Sequence, residues 1–233
     1  LHQHLGPKWG ELASERLRAA LPAGARALCV PNMFFTGYWP LWSSEPGFDF
    51  RDRLLDELLA RGLPAQDVLH VHLGGSLAAK YDLAALLEAT FETERRRQAL
   101  TPVPYLDHLL AHWRSRRLFD TVNHPGRELL ALAADGILAE LGLGGLPEDA
   151  IRRIPDIEPE FVLPIHPQVA AFHGLAFADE ATRYPVFGAE LTYAEYAARY
   201  VECRSLGEAD FTGYLRARAD LERGRRAPAP PGG

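Results

Sequence analysis

The sequence ALCVPNMFFTGYWPLW, residues 27–42, decides how the chain is expected to fold. Its short apolar run, residues 27–30, stops at Pro31, and proline ends a strand because it has no N–H for the next hydrogen bond of the sheet. An aromatic loop, residues 31–40, follows. In open α/β sheets ligands bind at the carboxyl ends of strands, so this loop is a candidate pocket wall. The alternative is that its aromatic side chains are core packing between a strand and a helix.

The second informative stretch is FDTVNHP, residues 119–125, an extended piece that ends in a turn before a helix predicted over residues 128–141. Asn123 and His124 would lie just before the helix N-terminus, where backbone N–H groups favour negative charge. An imidazole in such a place tends to stay neutral, which is the form required of a general base. The alternative makes Asn123 a helix cap and His124 an ordinary turn residue.

Together these motifs resemble the WcbI family of polysaccharide-biosynthesis proteins, which are taken to be acetyltransferases that bind coenzyme A. The resemblance rests on VPNMFFTGYWP and FDTVNHPGRELLALAADGILAELG and extends over about residues 9–198. It implies acyl transfer from coenzyme A, with acetyl-CoA as the donor, to a sugar-like acceptor in polysaccharide or glycoconjugate biosynthesis.

The chain departs from the family pattern in two places. Residues 39–41 are Trp-Pro-Leu where the family usually continues His-Pro-Asp. The family also opens with a strand leading into Gly-Asn-Cys-Gln, whereas this chain begins LHQHLG, so at most His2 and Gln3 stand where Cys-Gln would be. The role of that cysteine is therefore not carried over.

The resemblance also implies roles for the residues of the two motifs. His124 would remove the acceptor proton, and Asn123, Asn32 or a backbone N–H would hold the developing oxyanion. The residues expected to bind coenzyme A are Asn32, Phe34, Phe35, Tyr38 and Arg127.

Two arginine runs are candidates for the phosphates of coenzyme A. One is residues 95–97; the other consists of Arg114, Arg116 and Arg117. Arginine binds phosphate oxygens in a bidentate manner, so either run has suitable chemistry. The first run also lies at the end of a helix predicted over residues 83–99, where positive charge stabilises the helix dipole. The sequence does not decide between the two runs.

Two other functions remain open from the sequence. An esterase or deacetylase of the SGNH-hydrolase type would use water as the acceptor, but the chain lacks an early serine or cysteine nucleophile. A non-catalytic ligand-binding or partner module would explain the departures as a degenerate site.

Composition bounds the remaining possibilities. The 233 residues are 47% hydrophobic, which favours a single domain over residues 1–226, and the tail APAPPGG, residues 227–233, is predicted to be disordered. A net charge of −6 argues against a nucleic-acid partner. Neither a membrane span nor a signal peptide is visible, so a cytoplasmic location is expected. The oligomeric state, the acceptor and the acyl chain are not determined.

Hydrophobic periodicity predicts a helix-rich α/β fold in which many helices flank a small, mostly parallel sheet. VLHVHL, residues 68–73, alternates like a half-exposed strand and would place His70 and His72 on one face. No nearby carboxylate or cysteine completes a metal site, so no metal is predicted. His166 is either a second polar group of the cleft or a residue of a surface loop.

Overall fold

A computed structural model describes residues 7–44, 47–153 and 160–226. After a short 3-10 helix, Pro7–Leu12, the helices are α1 (Ser14–Ala19), α2 (Arg53–Ala60), α3 (Ala65–Gly74), α4 (Leu77–Lys80), α5 (Leu83–Gln98), α6 (Leu106–His112), α7 (Arg127–Glu140), α8 (Glu148–Arg153), α9 (Pro167–His173), α10 (Tyr193–Ser205) and α11 (Phe211–Arg226). The strands are β1 (Trp42–Ser43), β2 (Arg51–Asp52), β3 (Phe119–Thr121), β4 (His124–Pro125), β5 (Tyr184–Val186) and β6 (Ala189–Leu191).

The helix-rich α/β class is confirmed, but the mostly parallel sheet is wrong. The sheets of the described residues are three antiparallel pairs, β1 with β2, β3 with β4 and β5 with β6. In the expected strand at residues 27–30, only Val30 has strand character, as a single bridge residue. Short hairpins form from neighbouring segments, whereas parallel pairing requires a long crossover between strands.

The predicted strand at residues 68–73 is wrong, because these residues belong to helix α3. Within it Val68 and His72 are fully buried, four residues apart on one helical face, while His70 and Val71 are exposed. Six alternating residues fit a strand and one helical face equally well. Packing of α3 against α2 and α10 settles the choice.

The chain divides into two compact units. Unit 1 lies within Leu1–Gly37 and Ala84–Glu158, and unit 2 within Tyr38–Leu83 and Pro159–Gly233. A single domain over residues 1–226 stays a prediction. The predicted disordered tail, and the positions of His2 and Gln3, lie outside the described residues.

Unit 1 is held by an aromatic core. The ring of Phe35 lies 5.7 Å from that of Phe91, 6.1 Å from that of Trp113 and 5.5 Å from that of Phe119. A side chain on Gly37 would clash with the Phe35 ring, which explains the glycine in the aromatic loop. The core thus joins the aromatic loop to α5, α6 and β3.

Unit 2 contains two local features with clear sequence causes. Thr192 and Glu195 form a capping box at the start of α10, a pattern that stabilises a helix N-terminus. The sequence analysis missed the β5–β6 hairpin, in which Phe187 (φ 51°) and Gly188 (φ 86°) form the turn. Two successive positive φ angles make a type I′ turn, whose twist suits two antiparallel strands.

Other local predictions agree closely with the structure. Helix α7, Arg127–Glu140, and helix α5, Leu83–Gln98, lie within a residue of their predicted bounds. Cys29 and Cys203 are buried free thiols. No helix within residues 7–44, 47–153 and 160–226 has the length and apolar character needed to cross a bilayer.

Candidate functional site

The two motifs meet within unit 1. The backbone N–H of Phe35 donates a hydrogen bond of 2.7 Å to the carbonyl oxygen of Val122. The rings of Phe35 and Phe119 stack with their centroids 5.5 Å apart. The aromatic loop is therefore fastened to the β3–β4 hairpin that carries Asn123 and His124.

A buried carboxylate holds the other side of the loop. Glu94 of α5 has no exposed surface, and its Oε2 accepts hydrogen bonds from the Phe34 N–H at 3.3 Å and the Tyr105 hydroxyl at 3.1 Å. Arg97 pairs with Glu94 Oε1 at 2.5 Å and donates to the Phe34 carbonyl at 3.3 Å. Both backbone polar groups of Phe34 are thus satisfied by one ion pair.

The electrostatics of Glu94 follow from this burial. Burial raises the pKa of the Glu94 carboxyl, and the positive charge of Arg97 offsets part of that effect. The guanidinium of Arg97 also lies 5.2 Å from the centre of the Phe34 ring, in a cation–π arrangement. The contacts of Arg97 are therefore with Glu94 and the aromatic loop, and its side chain is not a solvent-facing charge.

His124 has a defined hydrogen-bond geometry in the hairpin. Its Nδ1 lies 2.5 Å from the hydroxyl oxygen of Thr121, and that hydroxyl also donates to Oδ1 of Asn123 at 3.1 Å. An amide oxygen can only accept, so the hydroxyl proton of Thr121 is directed to Asn123. Nδ1 of His124 then carries a hydrogen and donates to Thr121, so in the neutral tautomer the lone pair is on Nε2.

Asn123 and His124 are both exposed, and helix α7 begins three residues after His124. The N-cap residue of α7 is Gly126, with no side-chain capping bond, so the alternative role of Asn123 as helix cap is wrong. Nearby, burial raises the pKa of Asp120, and the charges of Arg117 and His124 offset part of that effect. The side chain of Arg127 is exposed at the first position of the helix.

The remaining predicted ligand-binding residues differ in accessibility. Asn32 and Phe34 are half-buried in unit 1. Phe35 has no exposed surface and packs in the unit 1 core. Tyr38 belongs to unit 2, where its buried ring contacts Trp39 and Phe177. The burial of Phe35 and Tyr38 fits core packing better than contact with a ligand.

The two arginine runs have different surroundings. Arg95 is paired with Glu88 and Glu92 along α5, and Arg97 with Glu94. The second run comes directly before β3, where Arg116 pairs with Glu128 at 2.6 Å and Arg117 with Asp120 at 3.4 Å. The second run is therefore close in sequence and in contact to the hairpin and to the start of α7.

Three further histidines have structural partners. Nε2 of His108 lies 2.8 Å from Glu128 Oε1, and its ring lies 4.5 Å from that of His112. His166 is buried as the N-cap of α9, where its Nδ1 accepts from the Gln168 N–H. Within the part of the chain that the structure describes, no three His, Cys, Asp or Glu side chains are arranged to hold a metal ion.

Two residues of this site were missed by sequence reasoning. Thr121 orients His124, and its only local signal is its place in a strand two residues before Asn123. Glu94 looked like an ordinary charge on an amphipathic helix, because nothing in α5 indicates that the aromatic loop covers it. Both roles depend on contacts that only the folded chain makes.

The fold has a solved counterpart. The chain aligns with a protein described as WcbI, a novel polysaccharide biosynthesis enzyme, in a native form without a disulfide bond between coenzyme A and one of its cysteines. The TM-score is 0.68 at 20% identity, and the alignment covers 96% of this chain and 76% of that protein. At this identity the similarity establishes the fold, a helix-rich mixed α/β structure.

The amino-acid sequence identifies the family. The family model for the polysaccharide biosynthesis enzyme WcbI matches residues 1–146, more than half of the chain. The chain belongs to the WcbI family, as the two motifs indicated. None of the curated proteins compared with the chain matches it.

Proposed function

We propose that this protein transfers an acyl group, in the simplest case acetyl, from coenzyme A to a hydroxyl or amine of a sugar-like acceptor in polysaccharide biosynthesis. The observation that carries the proposal is the hydrogen-bond chain from His124 through Thr121 to Asn123. In the neutral imidazole this chain makes Nε2 the atom that carries the lone pair, and the exposed ring presents it to an acceptor.

The reaction is a direct transfer. The acceptor oxygen or nitrogen attacks the thioester carbonyl carbon while His124 Nε2 takes its proton. The carbonyl oxygen becomes an oxyanion, toward which the Asn123 amide N–H groups donate, because Oδ1 of that amide is occupied by Thr121. When the oxyanion collapses, the carbon–sulfur bond breaks and the coenzyme A thiolate receives the proton from His124. Asn32 is the other candidate oxyanion donor.

Binding of the donor is assigned to the same part of unit 1. Phe34 is positioned by Glu94 and Arg97 and is half-exposed, so its ring offers a wall for the pantetheine arm. The phosphates are assigned to Arg127 and to the second arginine run, because these are the cations next to the hairpin. Core burial makes Phe35 a support of this site rather than a contact, and Tyr38 packs within unit 2.

Donor binding and transfer are measured separately. Titration calorimetry with coenzyme A should show binding, and free thiol should appear from acetyl-CoA when an acceptor is added. Hydrolysis of p-nitrophenyl acetate without coenzyme A binding would favour an esterase. Absence of coenzyme A binding at millimolar concentration would favour a non-catalytic module.

Replacing His124 with alanine should lower the rate of acyl transfer by about 100-fold or more, since the acceptor proton then has no base. Coenzyme A binding should persist, because the imidazole acts on the acceptor. The matched control is His70→Ala, which removes an exposed imidazole in unit 2. Equal rates for His124→Ala and the unmodified protein would remove His124 from the mechanism.

Replacing Thr121 with valine should lower kcat by about tenfold while KM changes little, because His124 loses the acceptor that fixes its tautomer. Valine has nearly the same shape, so the buried position remains filled. Thr121→Ser keeps the hydroxyl and should retain most of the rate. A serine variant as slow as the valine variant would show that packing, and not the hydrogen bond, is responsible.

A further inference from the structure

Unit 2 contains a partly enclosed cavity of about 40 Å³. Since a water molecule needs roughly 10–15 Å³ of such space, the cavity admits two or three groups of the size of a water or a hydroxyl. Its lining residues all belong to unit 2, and none of them is part of the site proposed above for proton transfer.

One side of the cavity is polar. Tyr193 and Asp52 both line the cavity, and the Tyr193 hydroxyl lies 2.8 Å from Nε2 of His72. Oδ1 of Asp52 accepts from the N–H groups of Leu54 and Leu55 at the start of α2. This carboxylate is therefore held in one orientation at the cavity wall.

Among the residues that line the cavity, Tyr196 carries a buried polar atom without a hydrogen-bond partner in the described part of the chain. Tyr196 lines the cavity with only 5% of its surface exposed, and its oxygen has no hydrogen-bond partner among the described residues. Most buried hydroxyl groups in proteins are hydrogen-bonded, to protein or to water. The cavity next to Tyr196 is where a partner from outside the chain can reach it.

The other side of the cavity is aromatic and fixed in place. Trp39 donates its Nε1–H to the carbonyl oxygens of Leu163 and Pro164 at 3.0 and 3.1 Å. Phe50 has a left-handed backbone (φ 53°), which costs free energy for a side chain of this size, and its ring packs 4.9 Å from that of Phe161. Trp42 and Phe50 are half-exposed, so they form the rim.

We infer that this cavity is a second binding site, which takes the hydroxyl groups of a neutral hydroxylated ring such as a pyranose. The hydroxyls enter the cavity, where one donates to Asp52 and another pairs with Tyr196. The ring itself is too large for 40 Å³ and stays at the rim, with its C–H face against Trp42 and Phe50. Aromatic rings pack on the apolar face of a sugar while carboxylates and hydroxyls bind its edge, and both kinds of group are present here.

The inference does not depend on acyl transfer, because binding is measured without an acyl donor. The probe is methyl β-D-glucopyranoside, observed by saturation-transfer NMR and by intrinsic tryptophan fluorescence, to which Trp39 and Trp42 contribute with the two other tryptophans. We expect binding with millimolar affinity. Tyr196→Phe should weaken it about tenfold by removing one hydrogen bond. The matched control is Tyr214→Phe, which removes a tyrosine hydroxyl of unit 2 outside the cavity and should bind the probe as the unmodified protein does.

A second variant separates a loss of binding from a loss of folding. Asp52→Asn keeps an oxygen that can accept from the N–H groups of Leu54 and Leu55, so α2 retains its cap. It should also weaken binding of the glucoside, with an unchanged circular dichroism spectrum. Absence of binding by the unmodified protein at tens of millimolar, or equal affinity in Tyr196→Phe, would overturn the inference and leave the cavity as a site for water.

Discussion

Replacing Glu94 with alanine is expected to lower the free energy of unfolding by about 3–5 kcal/mol, because it breaks a buried ion pair and removes the carboxylate that offsets the charge of Arg97. The carboxylate has no exposed surface, and only 17% of the Arg97 side chain is exposed. The substitution also removes the acceptor of the Phe34 N–H and of the Tyr105 hydroxyl. Urea denaturation followed by circular dichroism measures the loss.

The same variant should weaken coenzyme A binding if Phe34 forms part of the donor site, since the loop loses the groups that hold it. Glu94→Gln keeps one side-chain oxygen and should cost less than alanine. The matched control is Glu92→Ala in the same helix, whose exposed carboxylate pairs with Arg95 and should contribute little. Similar losses for Glu92→Ala and Glu94→Ala would mean that the buried pair does not anchor the loop.

Acidification from pH 7 to pH 5 is expected to destabilise the protein through two buried histidines. Burial, aided by the charge of His166, lowers the pKa of His72 from 6.5 to about 3. Burial lowers the pKa of His166 from 6.5 to about 4, although its bond to the His72 carbonyl opposes the shift. Between pH 7 and pH 5 the unfolded chain therefore binds two protons, at His72 and His166, that the folded chain does not bind.

The sign of the effect follows from linkage. A histidine with a lowered pKa in the folded state does not reduce stability above pH 6.5, but it does so as the pH falls from 6.5 toward the folded-state pKa. At pH 5, His72 and His166 each lower the free energy of unfolding by about 2 kcal/mol. Asp52 acts in the opposite direction, because burial raises its pKa to about 6 and the folded state gains a proton below that pH. Its contribution is roughly 1 kcal/mol at pH 5, so these three groups together leave a net loss of about 3 kcal/mol.

His72→Gln provides the test of the acid effect. Glutamine does not titrate, so the loss of unfolding free energy between pH 7 and pH 5 should shrink by about 2 kcal/mol. His70→Gln changes an exposed histidine two residues away and should leave the pH dependence as it is. If the two variants respond alike, burial of His72 is not the cause.

The sequence predicted the local structure well where local signals were strong. Helices α5 and α7 have long hydrophobic periodicity, and Thr192 with Glu195 forms a capping box, so their bounds follow from neighbouring residues. The two motifs identified the family for a similar reason. Both are short contiguous stretches whose residue types are visible without any knowledge of the fold.

Predictions that needed contacts between distant segments failed or were never made. The parallel sheet was wrong because strand direction is set by pairing partners, which one segment of four apolar residues does not specify. The strand at residues 68–73 was wrong because burial of His72 by Tyr193, 121 residues later, is invisible in its own stretch. The position of Asp52, which caps α2 at the wall of a cavity, was not predicted, because the residues around that cavity come from distant segments.

By itself the sequence therefore determined the family, the main helices and the two motifs with Asn123 and His124. Only the tertiary structure decided that the Phe35 backbone joins the aromatic loop to the hairpin, that Thr121 sets the tautomer of His124, and that Asp52 and Tyr196 meet at a cavity of unit 2. The physical reason is the separation along the chain over which each kind of interaction acts. Helix periodicity and capping act within a few residues, whereas burial and hydrogen bonding between distant segments depend on how the whole chain folds.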